Sequence, residues 1–358
     1  MSDILFSPLT LGPITLANRV VMAPMTRSRC IGNVPGPLVA TYYGQRAEAG
    51  LIITEGTSPS PDGLGYPRIP GCFDAAQVAG WKAVTTAVHE KGGRIFLQMM
   101  HTGRVGHPLN LPKGAKVLGP SAVRLEGKMH TDQEGEQPYP IPIEMTAADI
   151  EQVTSEYVSS AAHAVSAGFD GVEVHGANGY LVDQFLNTAS NARTDEWGGS
   201  VTNRTRFALE VTRRVAEKIG GERTGIRLSP YGAFSGMRPD DEMDDLYIEL
   251  ARGLSTLGLA YVHLVDHSSM GTPLVPETLK QEIHGAFGGK LILSGGYTRE
   301  RAEQDLEAKK ADLVAFGRPF LANPNLVTKL EAERPLRAPD MKLAYTPGEH
   351  GYTDYPMD

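Results

Sequence analysis

The segment His175-Gly-Ala-Asn178-Gly-Tyr180 gathers three polar side chains of different chemistry within six residues. An imidazole and an amide this close can aim two N–H donors at one oxygen, stabilising it as it gains negative charge. Tyr180, a phenol with an ordinary pKa of about 10, is a poor base at neutral pH but a competent proton donor to a carbanion-like carbon. The same residues also admit a structural reading, because a lone histidine at a strand end often only packs or meets solvent. Metal binding would need more ligands, and no HExxH or neighbouring carboxylate cluster accompanies His175, so no metal site is expected.

Two glycine pairs suggest a phosphate. Ser294-Gly295-Gly296-Tyr297 and Phe316-Gly317-Arg318-Pro319 each close a short apolar run. In a barrel of alternating strands and helices these are the loops after strands seven and eight, where exposed backbone N–H groups meet an anion. Arg318 could add a forked guanidinium, although either pair alone could be a plain turn. No GxGxxG or GxxxxGK[ST] is present, so Rossmann and P-loop modes of holding a phosphate are set aside.

Other polar residues fall at further strand ends: Thr26 after Val-Met-Ala-Pro-Met, Gln98, and Arg227 within Gly-Ile-Arg-Leu-Ser. An arginine in an apolar strand is costly unless it is paired or faces an anion. It therefore marks either an internal ion pair or a fixed positive charge beside an electron-rich ring. Gln98 offers a donor and an acceptor, as an amide-bearing heterocycle requires.

These positions need elements to hold them. Apolar runs are read as strands at Val20–Met25, Leu51–Glu55, Ile95–Met99, Gly171–His175, Gly225–Ser229, Tyr261–Val265, Leu291–Ser294 and Leu313–Phe316. They are nearly continuous rather than alternating, which suits strands buried on both faces of a parallel sheet. Amphipathic stretches at Asp149–Ala167, Asn203–Ile219, Glu242–Leu257 and Thr298–Lys309 read as helices between them. The expected fold class is α/β, a (β/α)8 TIM barrel spanning residues 1–358 as a single domain, with an open doubly wound sheet as the alternative. Leu9–Thr15 reads as an N-terminal hairpin plugging the barrel bottom. The stretch from about 101 to 145 is rich in Gly and Pro, lacks periodicity and leaves from the carboxyl end of strand three, so it is expected to cap the site. The tail from Pro335 to Asp358 has no helical period yet carries Tyr345, Tyr352 and Tyr355.

Composition removes several classes of function. A formal net charge of −8 without a basic patch argues against a nucleic-acid surface. No run approaches the ~20 apolar residues of a membrane helix, and the amino terminus lacks a signal-peptide pattern, so no membrane association and a cytoplasmic location are expected. The two cysteines, Cys30 and Cys72, make no CxxC pair and read as reduced thiols.

Longer motifs then point to one family. The chain resembles the Old Yellow Enzymes, FMN-dependent ene-reductases, and most closely the bacterial branch with N-ethylmaleimide, xenobiotic and pentaerythritol tetranitrate reductases. The likeness runs through LFSPLTLGPITLANRVVMAPMTRSR, LIITEGT, HGANGYLVDQFLNTASNARTDEWGGSVTNRTRF, GIRLSPYGAF, LSGGYT, VAFGRPFLANPNL and GYTDYP. It implies FMN along the barrel axis, with Ala23, Pro24, Met25, Thr26, Gly56 and Gln98 around the ring and Arg227 near N1 and the C2 carbonyl. Gly295, Gly296, Gly317 and Arg318 would bind the phosphate. His175 and Asn178 would hold a substrate carbonyl or nitro oxygen, Tyr180 would donate the proton, and Tyr66, Met100, Phe234 and Tyr352 would shape the substrate pocket. The implied reaction is reduction of activated C=C bonds of α,β-unsaturated carbonyls, maleimides and nitro compounds. Hydride would pass from NADPH or NADH to FMN N5, and from there to the substrate. The partners expected are small molecules, with the chain a monomer or homodimer.

Two positions vary within the family: the donor pair is His/Asn here where some relatives have His/His, and Met100 stands where many carry tryptophan. A different FMN barrel enzyme, such as a 2-hydroxy acid oxidase, would share the phosphate loops but needs a histidine base beside arginines. A non-catalytic flavin-binding protein is the remaining rival.

Overall fold

The strands follow from which residues can be buried on both faces. A computed structural model describes residues 3–358. In chain order its strands are β1 Leu9–Leu11, β2 Ile14–Leu16, β3 Val20–Met22, β4 Leu51–Ile53, β5 Ile95–Met99, β6 Leu118–Gly119, β7 Lys128–Thr131, β8 Gly135–Pro138, β9 Ile143–Glu144, β10 Gly171–Gly176, β11 Thr224–Leu228, β12 Tyr261–Val265, β13 Leu291–Ser294 and β14 Leu313–Phe316. Strands β3, β4, β5 and β10 to β14 pair in parallel and close into a barrel, with β14 returning to β3 at Val314↔Val20. The fold is a (β/α)8 barrel, and the open sheet is excluded. The first two barrel strands stop earlier than their apolar runs suggest, and in the first Pro24 has no N–H to extend the ladder.

Every residue of these barrel strands is buried, which hides their period of two in the sequence. One parity, with Val20, Ile52, Leu97, Val174, Ile226 and Leu264, packs against the surrounding helices. The other faces the axis. Its lowest layer holds Val21, Leu51, Ile53, Phe96, Tyr261, Ile292 and Leu313, joined by Leu11 and Leu16 from the β1–β2 hairpin. The hairpin therefore plugs the bottom, each leucine contributing about 2 kcal/mol by burial. Phe96 and Tyr261 fit there because their neighbours are glycines: a Cβ on Gly171 would come within 2.5 Å of the Phe96 ring, and one on Gly225 within 2.4 Å of Tyr261.

Above this layer the same parity turns polar. Gln98, Glu173, His175, Arg227 and His263 follow in register across β5, β10, β11 and β12. The segment between β5 and the helix Ala147–Ser166 forms a short parallel pair, β6 with β9, and an antiparallel hairpin of β7 with β8. Its Val105, Leu125 and Met129 pack against Tyr66 and Tyr180, which covers that side of the axial cavity. Local signals fix the helix ends: Thr146 and Asp149 form a capping box, so that helix starts two residues before Asp149.

Candidate active site

A cavity of about 580 Å³ opens at the carboxyl ends of the barrel strands. It is lined by Ala23, Pro24, Met25, Thr26, Gly56, Tyr66, Gln98, Met100, His175, Asn178, Tyr180, Arg227, Phe234, Gly295, Gly296, Gly317 and Arg318. All but one of the residues singled out from sequence meet there.

The exception is Tyr352, and the expectation is corrected. Its ring is fully buried, stacked on Tyr42 at 4.2 Å, with the Arg27 and Arg29 guanidiniums 5.0 and 4.6 Å from its centroid. Those arginines also grip the tail backbone: Arg27 donates to Ala344 and Gly351 carbonyls, and Arg29 to those of Leu343, Ala344, Gly348 and His350. The cation–π site takes Tyr352 out of the cavity, and Tyr345, Ala344 and Met341 line it instead.

The floor is a hydrogen-bonded chain. Gln98 Nε2 donates to Glu173 Oε1 at 2.8 Å, Glu173 Oε2 bonds His263 Nδ1 at 2.9 Å, and His263 Nε2 meets Ser294 Oγ at 3.1 Å. Both oxygens of Glu173 are thereby engaged. Arg227, one strand over, has no carboxylate within ion-pair distance among the described residues, and its buried Nε lacks any partner. Burial lowers its pKa first, partly countered by Glu173, yet the ordinary value is so high that the guanidinium stays charged. The ion-pair reading of Arg227 thus fails. A buried guanidinium without bonds costs several kcal/mol unless a ligand supplies acceptors.

The electron-rich ring and phosphate of FMN fit what these residues offer. Arg227 presents an unmatched cation, and Gln98, with one N–H given to Glu173, keeps a carbonyl acceptor. At the rim the helix Arg318–Ala322 begins on Gly317; Pro319 has no N–H and Phe320 N–H donates to the Gly317 carbonyl at 2.9 Å, which leaves the Arg318 N–H and its guanidinium for an anion. Gly295 shows why that loop is glycine: at φ +131° an added Cβ would fall 2.0 Å from the Asp266 carbonyl.

The loop after β10 is shaped by its backbone. Asn178 has φ +62° and Gly179 +77°, left-handed conformations that asparagine and glycine tolerate best. Asn178 N–H donates to Ser229 Oγ at 2.9 Å, and Gly179 N–H to Asp183 Oδ2 at 2.8 Å. His175 is buried with Nδ1 unpartnered, and burial, then the Arg227 charge, drives its pKa well below the ordinary value, so the imidazole is neutral. Tyr180 lies edge-on to Tyr66, with their hydroxyls 3.1 Å apart. Burial pushes Tyr180 up to about 12, so it holds its proton at neutral pH. Either hydroxyl can donate in this pair; with Tyr66 donating, the Tyr180 proton is free for a ligand.

Sequence reasoning passed over Glu173, His263, Asp183, His267 and Tyr345. The first two carried a signal, being polar residues on the inward parity of His175 and Arg227. Asp183 is buried and pushed up to about 7 by burial, against its bonds from Gly179, Ser229 and Tyr247. Its folded pKa exceeds the unfolded one, so the folded state keeps a proton that the unfolded state loses between about pH 4 and 7, and stability falls as pH rises through that window. Asp183→Asn should remove this dependence. Its melting temperature relative to the unsubstituted protein is expected to rise by several degrees from about pH 5 to about pH 8. A difference that stays constant would show that Asp183 is ionised throughout.

A family model for the NADH:flavin oxidoreductase / NADH oxidase family matches residues 4–337. The chain belongs to this family. Within it, it is an Old Yellow Enzyme. A probable flavin mononucleotide-dependent alkene reductase of Leishmania infantum is 40% identical, over 99% of this chain and 98% of that protein. The solved old yellow enzyme homologue of Zymomonas mobilis superposes with a TM-score of 0.93 at 40% identity, covering 98% of this chain and 99% of the other. Morphinone reductase in complex with tetrahydroNAD gives a TM-score of 0.93 at 46% identity, covering 98% of this chain and 97% of that one. This Old Yellow Enzyme is an NAD(P)H-dependent flavin ene-reductase. Among its described residues, no helix is long and apolar enough to cross a membrane, and no cluster of three or more metal-ligating side chains occurs.

Proposed function

We propose that this enzyme reduces the activated C=C bond of α,β-unsaturated aldehydes, ketones, maleimides and nitroalkenes, with NADPH or NADH as reductant. One observation carries the reading: a neutral imidazole, an amide and a protonated phenol share one loop, facing the same cavity as a buried, unmatched arginine. The Gly295-Gly296 and Gly317-Arg318 loops hold the phosphate of FMN. Ala23, Pro24, Met25, Thr26, Gly56, Gln98 and Arg227 surround its ring. Held by these residues, FMN would supply the hydride chemistry that links nicotinamide and alkene. His175 and Asn178 bind the substrate oxygen and draw electron density from the β-carbon. Tyr180 gives its proton to the α-carbon, while Tyr66, Met100, Phe234 and Tyr345 shape the space around the substrate. Nicotinamide and alkene use the site in turn, which predicts ping-pong kinetics.

The purified protein is expected to be yellow, to bleach anaerobically with NADPH or NADH, and to regain its colour with 2-cyclohexenone. Bleaching without recovery on adding the enone would reject alkene reduction while leaving the flavin chemistry intact.

A further inference from the structure

His267 follows β12 and lines the cavity, yet no role above uses it. Its Nε2 lies 2.7 Å from Asn178 Oδ1, the only side-chain bond that Asn178 makes among the described residues. An amide oxygen can only accept, so the histidine nitrogen must donate, and Asn178 Nδ2 with both hydrogens is left for the cavity. The reverse arrangement, with Nδ2 donating to a bare ring nitrogen, would turn Oδ1 toward a substrate oxygen and repel it.

Both ends of this contact are anchored. The His267 ring meets Phe234 edge-on, with centroids 4.7 Å apart at 82°. The loop beneath it is tied down by Asp266, which accepts from Ser268 N–H at 3.0 Å and from the buried Lys280 Nζ at 2.9 Å. Asn178 leaves a left-handed backbone held by Ser229. Its side chain has no local partner to fix the amide, so the direction of the amide depends on His267.

We propose that His267 is a positioning residue: its Nε2–H locks the Asn178 amide with Nδ2 toward the cavity, making His175 and Asn178 a donor–donor pair selective for an oxygen that gains negative charge. The inference rests on the reading that Asn178 binds the substrate oxygen. A neutral histidine suffices, and burial together with the nearby Arg227 charge lowers His267 to about 4.

The test uses the FMN-loaded enzyme and para-chlorophenol, whose binding over oxidised flavin is read from long-wavelength absorbance. His267→Ala is expected to weaken phenol binding about tenfold, the scale of one misdirected hydrogen bond. His267→Gln, whose amide can still donate, should recover most of that loss with an unchanged melting temperature. In an Asn178→Ala background, His267→Ala should weaken binding no further. An undiminished effect there would mean that His267 touches the ligand itself, overturning the positioning role. So would full affinity in His267→Ala when Asn178→Ala alone is weak. If Asn178→Ala binds phenol as tightly as the unsubstituted enzyme, the oxygen-binding reading falls, and this inference with it.

Discussion

Tyr180→Phe is expected to slow reoxidation of the reduced enzyme by 2-cyclohexenone about 10²- to 10⁴-fold, the usual worth of a positioned proton donor. Reduction of the flavin by NADPH or NADH should keep its rate, because no proton passes to a carbon in that half-reaction. The change removes one oxygen and leaves the ring against His175, Val105, Leu125 and Met129. Packing is therefore conserved; besides the proton, the change removes the bond to the Tyr66 hydroxyl, which both half-reactions would feel alike. Burial holds the phenol protonated up to about 12, so wild-type reoxidation should lack a phenol titration below about pH 10. Stopped-flow measurement of each half-reaction checks both statements. Equal losses in the two halves would remove Tyr180 as the proton donor.

His175→Ala should reduce enone turnover about 10²- to 10³-fold, as loss of one oxyanion donor does elsewhere. It should also weaken para-chlorophenol binding. The side chain is placed for this task by register: His175 sits opposite Arg227 on β11, on the inward face, where its Nδ1 finds no protein partner. Because it is neutral, the interaction is a dipole with an oxygen and not an ion pair. Phenol affinity should then show no gain on acidification through about pH 6.5, the ordinary histidine range. A titration of binding against pH checks this, and a gain of the full charge-assisted size would mean that His175 becomes protonated in the site.

Much of the site could be read in the sequence because barrel strands end where chemistry is placed. His175, Arg227 and Gln98 are polar residues in apolar strands, and their cost signals a purpose wherever the strands run. Gly295 and Gly317 were legible from loop position alone. Glu173 stands two residues before His175 on the same face and carried the same signal, but with both strand faces apolar the period of two was masked. His267 had no signal, since it acts on Asn178, far away in sequence, and Asp183 is buried against Ser229 and Tyr247, which are also remote from it in the chain. The tail held aromatic residues in excess without saying which faces the cavity. That choice is made by Arg27 and Arg29, whose attraction for Tyr352 leaves Tyr345 at the rim. The 101–145 segment resisted reading because its strands are two to four residues long.

The grip of Arg27 on the carbonyls of Ala344 and Gly351 spans more than 300 residues, 317 to the first and 324 to the second. During synthesis, at roughly 5–20 residues per second, that arginine waits on the order of tens of seconds for its acceptors. Barrel closure through Val314 must wait nearly as long. A nascent chain therefore carries an unpaired strand edge and a half-built pocket until it extends more than 300 residues past Arg27 to reach those acceptors, and the catalytic chamber cannot exist before then.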